Sequence, residues 1–314
     1  MPPIRPYPGH AVRIGAHLTP ISAVSKELQS RGKPRTAQGI HFSEVAGVRQ
    51  LHLGGAAIQS AMHLSAPNEL ALAYTRAMMA CLLFQPEPRE VLIIGLGGGS
   101  LAKYIYRKLP QTCILAVEID LRVVSAAHRL FYMPLGKRRL RVLVGDGAEH
   151  TAQHPESADV ILLDAFVNHR QAPSVRTHAF YRAAWHALKR DGVLVINFMS
   201  DDPGLCAYIR RLALAFAGRV VCLRAIGEDN IIVFAFRDDP GVITPMSLVG
   251  RAIALQSKLG LEFRAFAARL RPLHRVRVNG RPLLSLSTLR QISAPRPARA
   301  AAHPNASQVR FRQE

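Results

Sequence analysis

Three glycines and three acidic side chains are spaced so that they could hold a nucleoside and move a proton. The segment VLIIGLGGGS puts Gly95, Gly97 and Gly99 straight after a buried-strand pattern and ahead of a helical one. Glycine lets the backbone approach a ligand closely and turn through φ values that other residues resist. A dinucleotide fingerprint needs its third glycine at position 100, which is Ser, whereas the GxGxG spacing suits a nucleoside thioether without a pyrophosphate. Glu118 ends the next strand run, 19 positions beyond Gly99, where a carboxylate can accept both ribose hydroxyls. Asp146, in GDGAEH, would accept the adenine amino group while the Gly147 and Ala148 amides face the ring. Asp164 closes the apolar run ILLDAF, where it could position an amine and take its proton. Each has a plainer alternative: a tight turn for the glycines, a solvated strand end for Glu118, a helix cap for Asp146 and a structural carboxylate for Asp164. Asp120 reads as the cap of LRVVSAAHRL.

The elements that must carry these residues repeat one theme over 91–236, a Val/Ile/Leu-rich run, a turn and a helical pattern. The runs are 91–95, 113–119, 140–145, 159–164, 192–198, 219–225 and 231–236. The last two are joined by too few residues for a helical crossover, so they must be antiparallel neighbours. An α/β, Rossmann-like S-adenosylmethionine-dependent methyltransferase fold follows, with seven strands in a mostly parallel sheet. Residues 39–66 form a small N-terminal β unit around turns at Ala46-Gly47 and Gly54-Gly55. The catalytic domain is expected over 67–284, entered by a helix capped by Asn68 that stops before Pro86 and Pro88, and closed by helical sequence at 244–270. The Pro- and Arg-rich ends, 1–38 and 285–314, are expected to be a flexible basic N-terminus and a disordered basic tail.

Composition narrows the class. With 49% hydrophobic residues in 314, the chain can bury a large core, and its longest apolar runs fall far short of the ~20 residues of a membrane helix. The N-terminus lacks the apolar core of a secretory signal. Cys81, Cys113, Cys206 and Cys222 show no CxxC spacing and read as core thiols in a reducing cytoplasm, with no metal site expected. His128, His150, His169, His178 and His186 lie on different elements without ligand spacing. The formal charge of +20, with 41 Lys and Arg against 21 acids, would attract polyanions and repel small cations at long range. No nucleic-acid motif accompanies that charge.

From LGGAAIQSAM through DGVLVINF the chain resembles the spermidine synthase family, the polyamine aminopropyltransferases. VLIIGLGGGS is similar to that family's glycine loop, VEID to its ribose-binding EID, GDGAEH to its GDG, and LLDAF to its DSSDP-type segment. The resemblance implies a transferase that moves the aminopropyl group of decarboxylated S-adenosylmethionine to a small amine such as putrescine, and it implies a homodimer. It assigns the ribose to Glu118, the adenine to Asp146 and Gly147, and the proton to Asp164, with Gln59 and Tyr74 at polar positions of the substrate cleft. Two positions depart from the pattern. The family's glycine-loop aspartate, which holds the donor's ammonium, falls on Gly98, and the second aspartate of DSSDP falls on Val167. Losing a charge-assisted contact forfeits about 1.5–3 kcal/mol. Two other readings therefore stay open: a methyltransferase using S-adenosylmethionine itself, with Lys103 a candidate for its carboxylate, and a non-catalytic nucleoside- or polyanion-binding protein. The segment 167–178 lies where the family has a gatekeeping loop.

Overall fold

The apolar runs become adjacent strands because only pairing satisfies their backbone groups once both faces are buried. A computed structural model describes residues 11–14, 17–20, 39–53, 58–134, 136–167, 170–240, 245–272, 275–278 and 281–284. The Gly54-Gly55 turn, His169 and the tail 285–314 lie outside the described residues.

In chain order the strands are β1 (Ala11–Ile14), β2 (His17–Pro20), β3 (Ile40–Val45), β4 (Val48–Leu53), β5 (Ile58–His63), β6 (Glu90–Ile94), β7 (Cys113–Glu118), β8 (Leu140–Val144) and β9 (Ala158–Leu163). They continue with β10 (Phe166–Val167), β11 (Arg170–Gln171), β12 (Leu188–Met199), β13 (Val220–Arg224), β14 (Asn230–Phe236), β15 (Arg271–Pro272), β16 (Arg275–Val278) and β17 (Arg281–Leu284). The helices are α1 (Ala73–Met78, prolonged by a 3-10 turn), α2 (Ser100–Lys108), α3 (Leu121–Leu130), α4 (Gly147–Gln153), α5 (His178–Ala187), α6 (Leu205–Ala215), α7 (Pro245–Leu259) and α8 (Phe263–Arg269).

The main sheet runs β15-β13-β14-β12-β9-β6-β7-β8-β1-β2. Its seven central strands are the seven expected, β6 to β9 and β12 run parallel, and β14 pairs antiparallel with both β12 and β13. Alternate residues feed two cores, Val91, Ile93, Leu162 and Val195 on one face, Leu92, Ile94, Leu163 and Ile196 on the other. Within segment 1–38, β1 pairs with β2 and with β8, which extends the sheet beyond β8.

The N-terminal unit is the antiparallel sheet β3-β4-β5, with Ala46 and Gly47 at positive φ in its first turn. It packs Leu51 and Met62 against Ala126 and Phe131 of the α3 region, which hangs β5 over the glycine loop.

Three expectations change. Asn68 does not cap a helix: α1 starts at Ala73 with no local side-chain cap, and the amides of Ala73 and Tyr74 donate instead to the carboxylate of Glu228, at 2.8 and 2.7 Å. The helical stretch 244–270 is broken into α7 and α8 at Gly260, whose φ is 72°. Cys113 and Cys206 are half-buried, while Cys81 and Cys222 are core thiols.

Lys103 is also placed differently from the carboxylate-holding role considered for it. It lies inside α2 with 1% of its surface exposed, and its Nζ donates to the Phe131 carbonyl at 2.6 Å. With no acid beside it, burial lowers its pKa from 10.5 to about 8. Below about pH 8 the ammonium is charged in both folded and unfolded chains and the desolvation cost is fully present; between there and 10.5 the folded chain sheds the proton and the cost fades. Lys103→Met is expected to gain about 1–3 kcal/mol at neutral pH, net of the lost hydrogen bond. That gain, read from urea denaturation, should shrink as pH rises from about 8 to 10.5.

Candidate active site

At the carboxyl ends of the parallel strands the loops diverge on either side of β6, opening the crevice where α/β sheets bind ligands. A cavity of about 220 Å³ lies there, and its walls include Gly95, Gly97, Glu118, Asp146, Gly147 and Asp164. Gln59 from β5 and Tyr74 from α1 close it from above. Gly99 is not on the wall. It caps α2 at φ 72°, with the Met133 sulfur 2.6 Å from where its Cβ would stand.

Two glycines in this crevice are demanded by their surroundings. A Cβ on Gly95 would sit 2.3 Å from the Asp164 carbonyl oxygen, and φ there is +90°, so the nucleoside loop can lie against the end of β9 only with glycine. A Cβ on Gly147 would sit 2.3 Å from Ile94 Cγ2, so the first turn of α4 approaches β6 closely enough to wall the crevice.

Glu118 is 9% exposed. Its Oε2 accepts from the Leu96 amide at 2.8 Å and its Oε1 from the Asp120 amide at 3.0 Å. Each oxygen keeps a lone pair for a ligand hydroxyl. Burial raises its pKa, and the two amides pull it back. Asp120 caps α3, accepting from Arg122 N at 2.8 Å. Asp146 does two things at once: Oδ1 caps α4 by accepting from the Ala148 amide at 2.7 Å, while the side chain faces the cavity. The plainer reading of Asp146 as a cap and the ligand reading are thus compatible.

Asp164 follows directly on β9. Oδ1 accepts from Asn197 Nδ2 at 2.9 Å and Oδ2 from the Tyr74 hydroxyl at 3.1 Å. Burial raises its pKa, partly offset by those two donors. The same burial and the adjacent carboxylate push the Tyr74 phenol well above its ordinary value, so it stays a donor. Gln59 contributes its carbonyl, 3.5 Å from the Tyr74 hydroxyl.

The two positions that depart from the family pattern have concrete surroundings. A Cβ on Gly98 would meet Phe131 Cδ1 and Ser60 Oγ, each at 2.8 Å, so an aspartate cannot simply be restored there. Ser60 Oγ lies 3.3 Å from Ser100 Oγ, and this neutral hydroxyl pair faces the cavity. Val167 is 50% exposed in β10, which pairs with β11 as a short hairpin along the rim. Within the segment 167–178 the described residues are the paired strands β10 and β11, then a 3-10 turn at Pro173–Arg176. Arg170 and His178 are exposed and off the cavity wall.

Sequence reading missed Ile119, Asn197 and Asn230. Ile119 is 68% exposed beside Glu118 and presents an apolar face to the cavity, its signal being a bulky aliphatic residue held between two acids. Asn197 is 2% exposed and Asn230 8%. The signal for Asn197 was a polar residue inside the apolar run VLVINF, and for Asn230 the amide that opens NIIVFAF. Among the described residues no group of three His, Cys, Asp or Glu side chains is placed to hold a metal, and no helix is long and apolar enough to cross a membrane.

Comparison with known proteins agrees with this architecture. Residues 71–203 match the spermine/spermidine synthase domain. The chain is 38% identical over 232 residues to the polyamine aminopropyltransferase of Chromobacterium violaceum, covering 74% of this chain and 89% of that one. It is 37% identical over 233 residues to that of Neisseria meningitidis serogroup B, with the same coverage. Among solved structures, a probable spermidine synthase from Corynebacterium glutamicum superposes with TM-score 0.60 at 19% identity, over 87% of this chain and 95% of its own, which speaks to the fold. Human methyltransferase-like protein 13, solved in complex with SAH, superposes with TM-score 0.55 at 26% identity, over 60% of this chain and 93% of its own. With nearly nine-tenths of a 38%-identical polyamine aminopropyltransferase matched, this chain belongs to the spermine/spermidine synthase family, the polyamine aminopropyltransferases, and is a transferase.

Proposed function

We propose that the chain transfers the aminopropyl group of decarboxylated S-adenosylmethionine to a small amine such as putrescine, with Asp164 as the base. The observation that carries this reading is the Asp164 carboxylate itself, half-buried at a parallel strand end and oriented through both oxygens, in the same cavity as Glu118.

The residues fit a thionucleoside. Glu118, held by two amides, has lone pairs free for the ribose diol; Ile119 offers an apolar face for the adenine, and Asp146 can accept from its amino group. The sulfonium of the donor activates the neighbouring carbon, so that the amine nitrogen bonds to it as the carbon–sulfur bond breaks and methylthioadenosine leaves. Asp164 takes the proton that the nitrogen loses. A raised pKa suits this task, because a carboxylate of ordinary acidity is a weak base toward an ammonium. Tyr74 and Asn197 keep the charge oriented within the crevice. A homodimer is part of the proposal by likeness to the family.

One observation favours the methyltransferase alternative: the neutral Ser60–Ser100 pair beside Gly98 offers hydrogen bonds but no charge to a donor ammonium, and does not repel a carboxylate. Titrating the protein calorimetrically with S-adenosylmethionine, its decarboxylated form and methylthioadenosine separates the two. Tighter binding of the decarboxylated form is expected, and preference for the carboxylated one would transfer the reading to methyl transfer.

Two further outcomes are expected. Glu118→Ala should abolish methylthioadenosine binding, whereas Asp164→Asn should leave it intact and reduce turnover by about 10²–10⁴-fold; full activity in Asp164→Asn would end the base assignment. Because Asp164 must be ionised to act and burial raises its pKa, kcat/KM should fall with decreasing pH before the ordinary carboxylate range is reached. An acid limb within or below that range would contradict it.

A further inference from the structure

Each oxygen of Asp164 has one donor among the described residues, but the two donors are secured differently. Tyr74 is rooted in α1, whose first amides are held by Glu228. Asn197 sits near the C-terminal end of β12, buried, and its amide can face Asp164 in either of two ways. A carboxylate only accepts, so Nδ2 must point toward it, at 2.9 Å, which sends Oδ1 to the opposite side. There Asn230 Nδ2, from the first residue of β14, donates to Asn197 Oδ1 at 2.9 Å. The second hydrogen of that Nδ2 has Met199 Sδ at 3.4 Å. The Asn230 carbonyl is fixed in turn by the Ala225 amide at 2.9 Å, and Gln171 Nε2 from the rim hairpin donates to the Asn197 carbonyl at 3.2 Å.

We propose that Asn230 is a positioning residue for Asp164, acting through Asn197: by donating to Asn197 Oδ1 it locks that amide in the one orientation that donates to the catalytic carboxylate. This inference rests on Asp164 being the base.

Asn197 and Asn230 lie in the adjacent strands β12 and β14, and Asp164 directly follows β9 on the other side of β12, so register sets the geometry of the chain. Without the Asn230 donor, Asn197 Oδ1 would be a buried acceptor with no partner, and rotating the amide to relieve it would aim that oxygen at the Asp164 carboxylate. Rotation removes a donor that favours the ionised Asp164, and because the unrotated state leaves a buried acceptor unsatisfied, loss of the Asn230 donor shifts the amide toward rotation. Among the described residues, the other groups hydrogen-bonded or packed against Asp164 do not replace the Asn197 donor. Tyr74 already serves Oδ2, Glu228 behind Tyr74 is an acid whose oxygens accept from α1, and β6 meets Asp164 through the Ile94 carbonyl and Gly95.

Asn230→Leu, which keeps the volume and removes the donor, should lower kcat about 10- to 100-fold. It should also move the acid limb of kcat/KM to higher pH, with methylthioadenosine binding unchanged; Asn230→Ala serves the same purpose if leucine disturbs the strand pair. Asn197→Leu should move the limb in the same direction, and the double variant Asn197→Leu/Asn230→Leu should move it no further than Asn197→Leu alone, because the two act in series. A limb that stays at the wild-type pH in Asn230→Leu and Asn230→Ala, or shifts that add in the double variant, would overturn the proposal. Asp164→Asn measured alongside tells the two failures apart: if it stays active, the base reading itself is lost; if it is inactive while Asn230→Leu keeps the wild-type profile, only the positioning role is lost.

Discussion

The carbonyl oxygen of Asp164 stands where a side chain on Gly95 would begin. That contact between the ends of β6 and β9 holds the rest of the site together. It presses the glycine loop against the strand end that carries Asp164, so that the proposed thionucleoside, held by the loop and Glu118, would lie next to that carboxylate. Any side chain at 95 would push the two apart and also force a left-handed backbone on a residue with a Cβ. A second close approach, Gly147 onto Ile94, brings α4 in from the other side. The width of the crevice is therefore set by backbone contact, which a well-packed sheet resists deforming.

Around this frame the electrostatics are arranged by burial and by neutral donors. The two central carboxylates, Glu118 and Asp164, are both pushed up by desolvation, and each is steadied by two hydrogen-bond donors instead of a cation. An arginine in either place would stabilise the charge but would lower the basicity of Asp164 and compete with a cationic substrate. Amides and a phenol orient the carboxylates without adding positive charge to a site that must admit an amine. Buried Lys103 does not break this pattern, since it is turned toward Phe131 and Met62 and away from the cavity.

The departures from the family pattern bear on the donor's tail. At Gly98 the missing carboxylate is accompanied by a filled space, Phe131 on one side and Ser60 on the other, so neighbouring residues occupy the volume that an aspartate would need. At Val167 the position is on a half-open rim and could take a larger or charged side chain without a clash of that kind. The nucleoside half of the crevice is thus tightly specified by packing, while the substrate rim is more loosely constrained.

The sequence alone determined the sheet and which glycines and strand-end acids gather at its crevice, because both are written in local patterns. Uninterrupted apolar runs must pair once buried on both faces, the short link between β13 and β14 admits only an antiparallel return, and glycines with strand-end acids mark the crevice wherever such a sheet forms. Tertiary structure alone decided how the base is held. The cap of α1 comes from Glu228, more than 150 residues along the chain, in place of Asn68 nearby, because the β13–β14 turn lands on that helix end. Tyr74, Asn197 and Asn230 likewise meet Asp164, or one another, only through the register of strands distant in sequence. A hydrogen bond depends on position to a few tenths of an ångström, and for residues so far apart along the chain that position is set by the packing of the whole sheet.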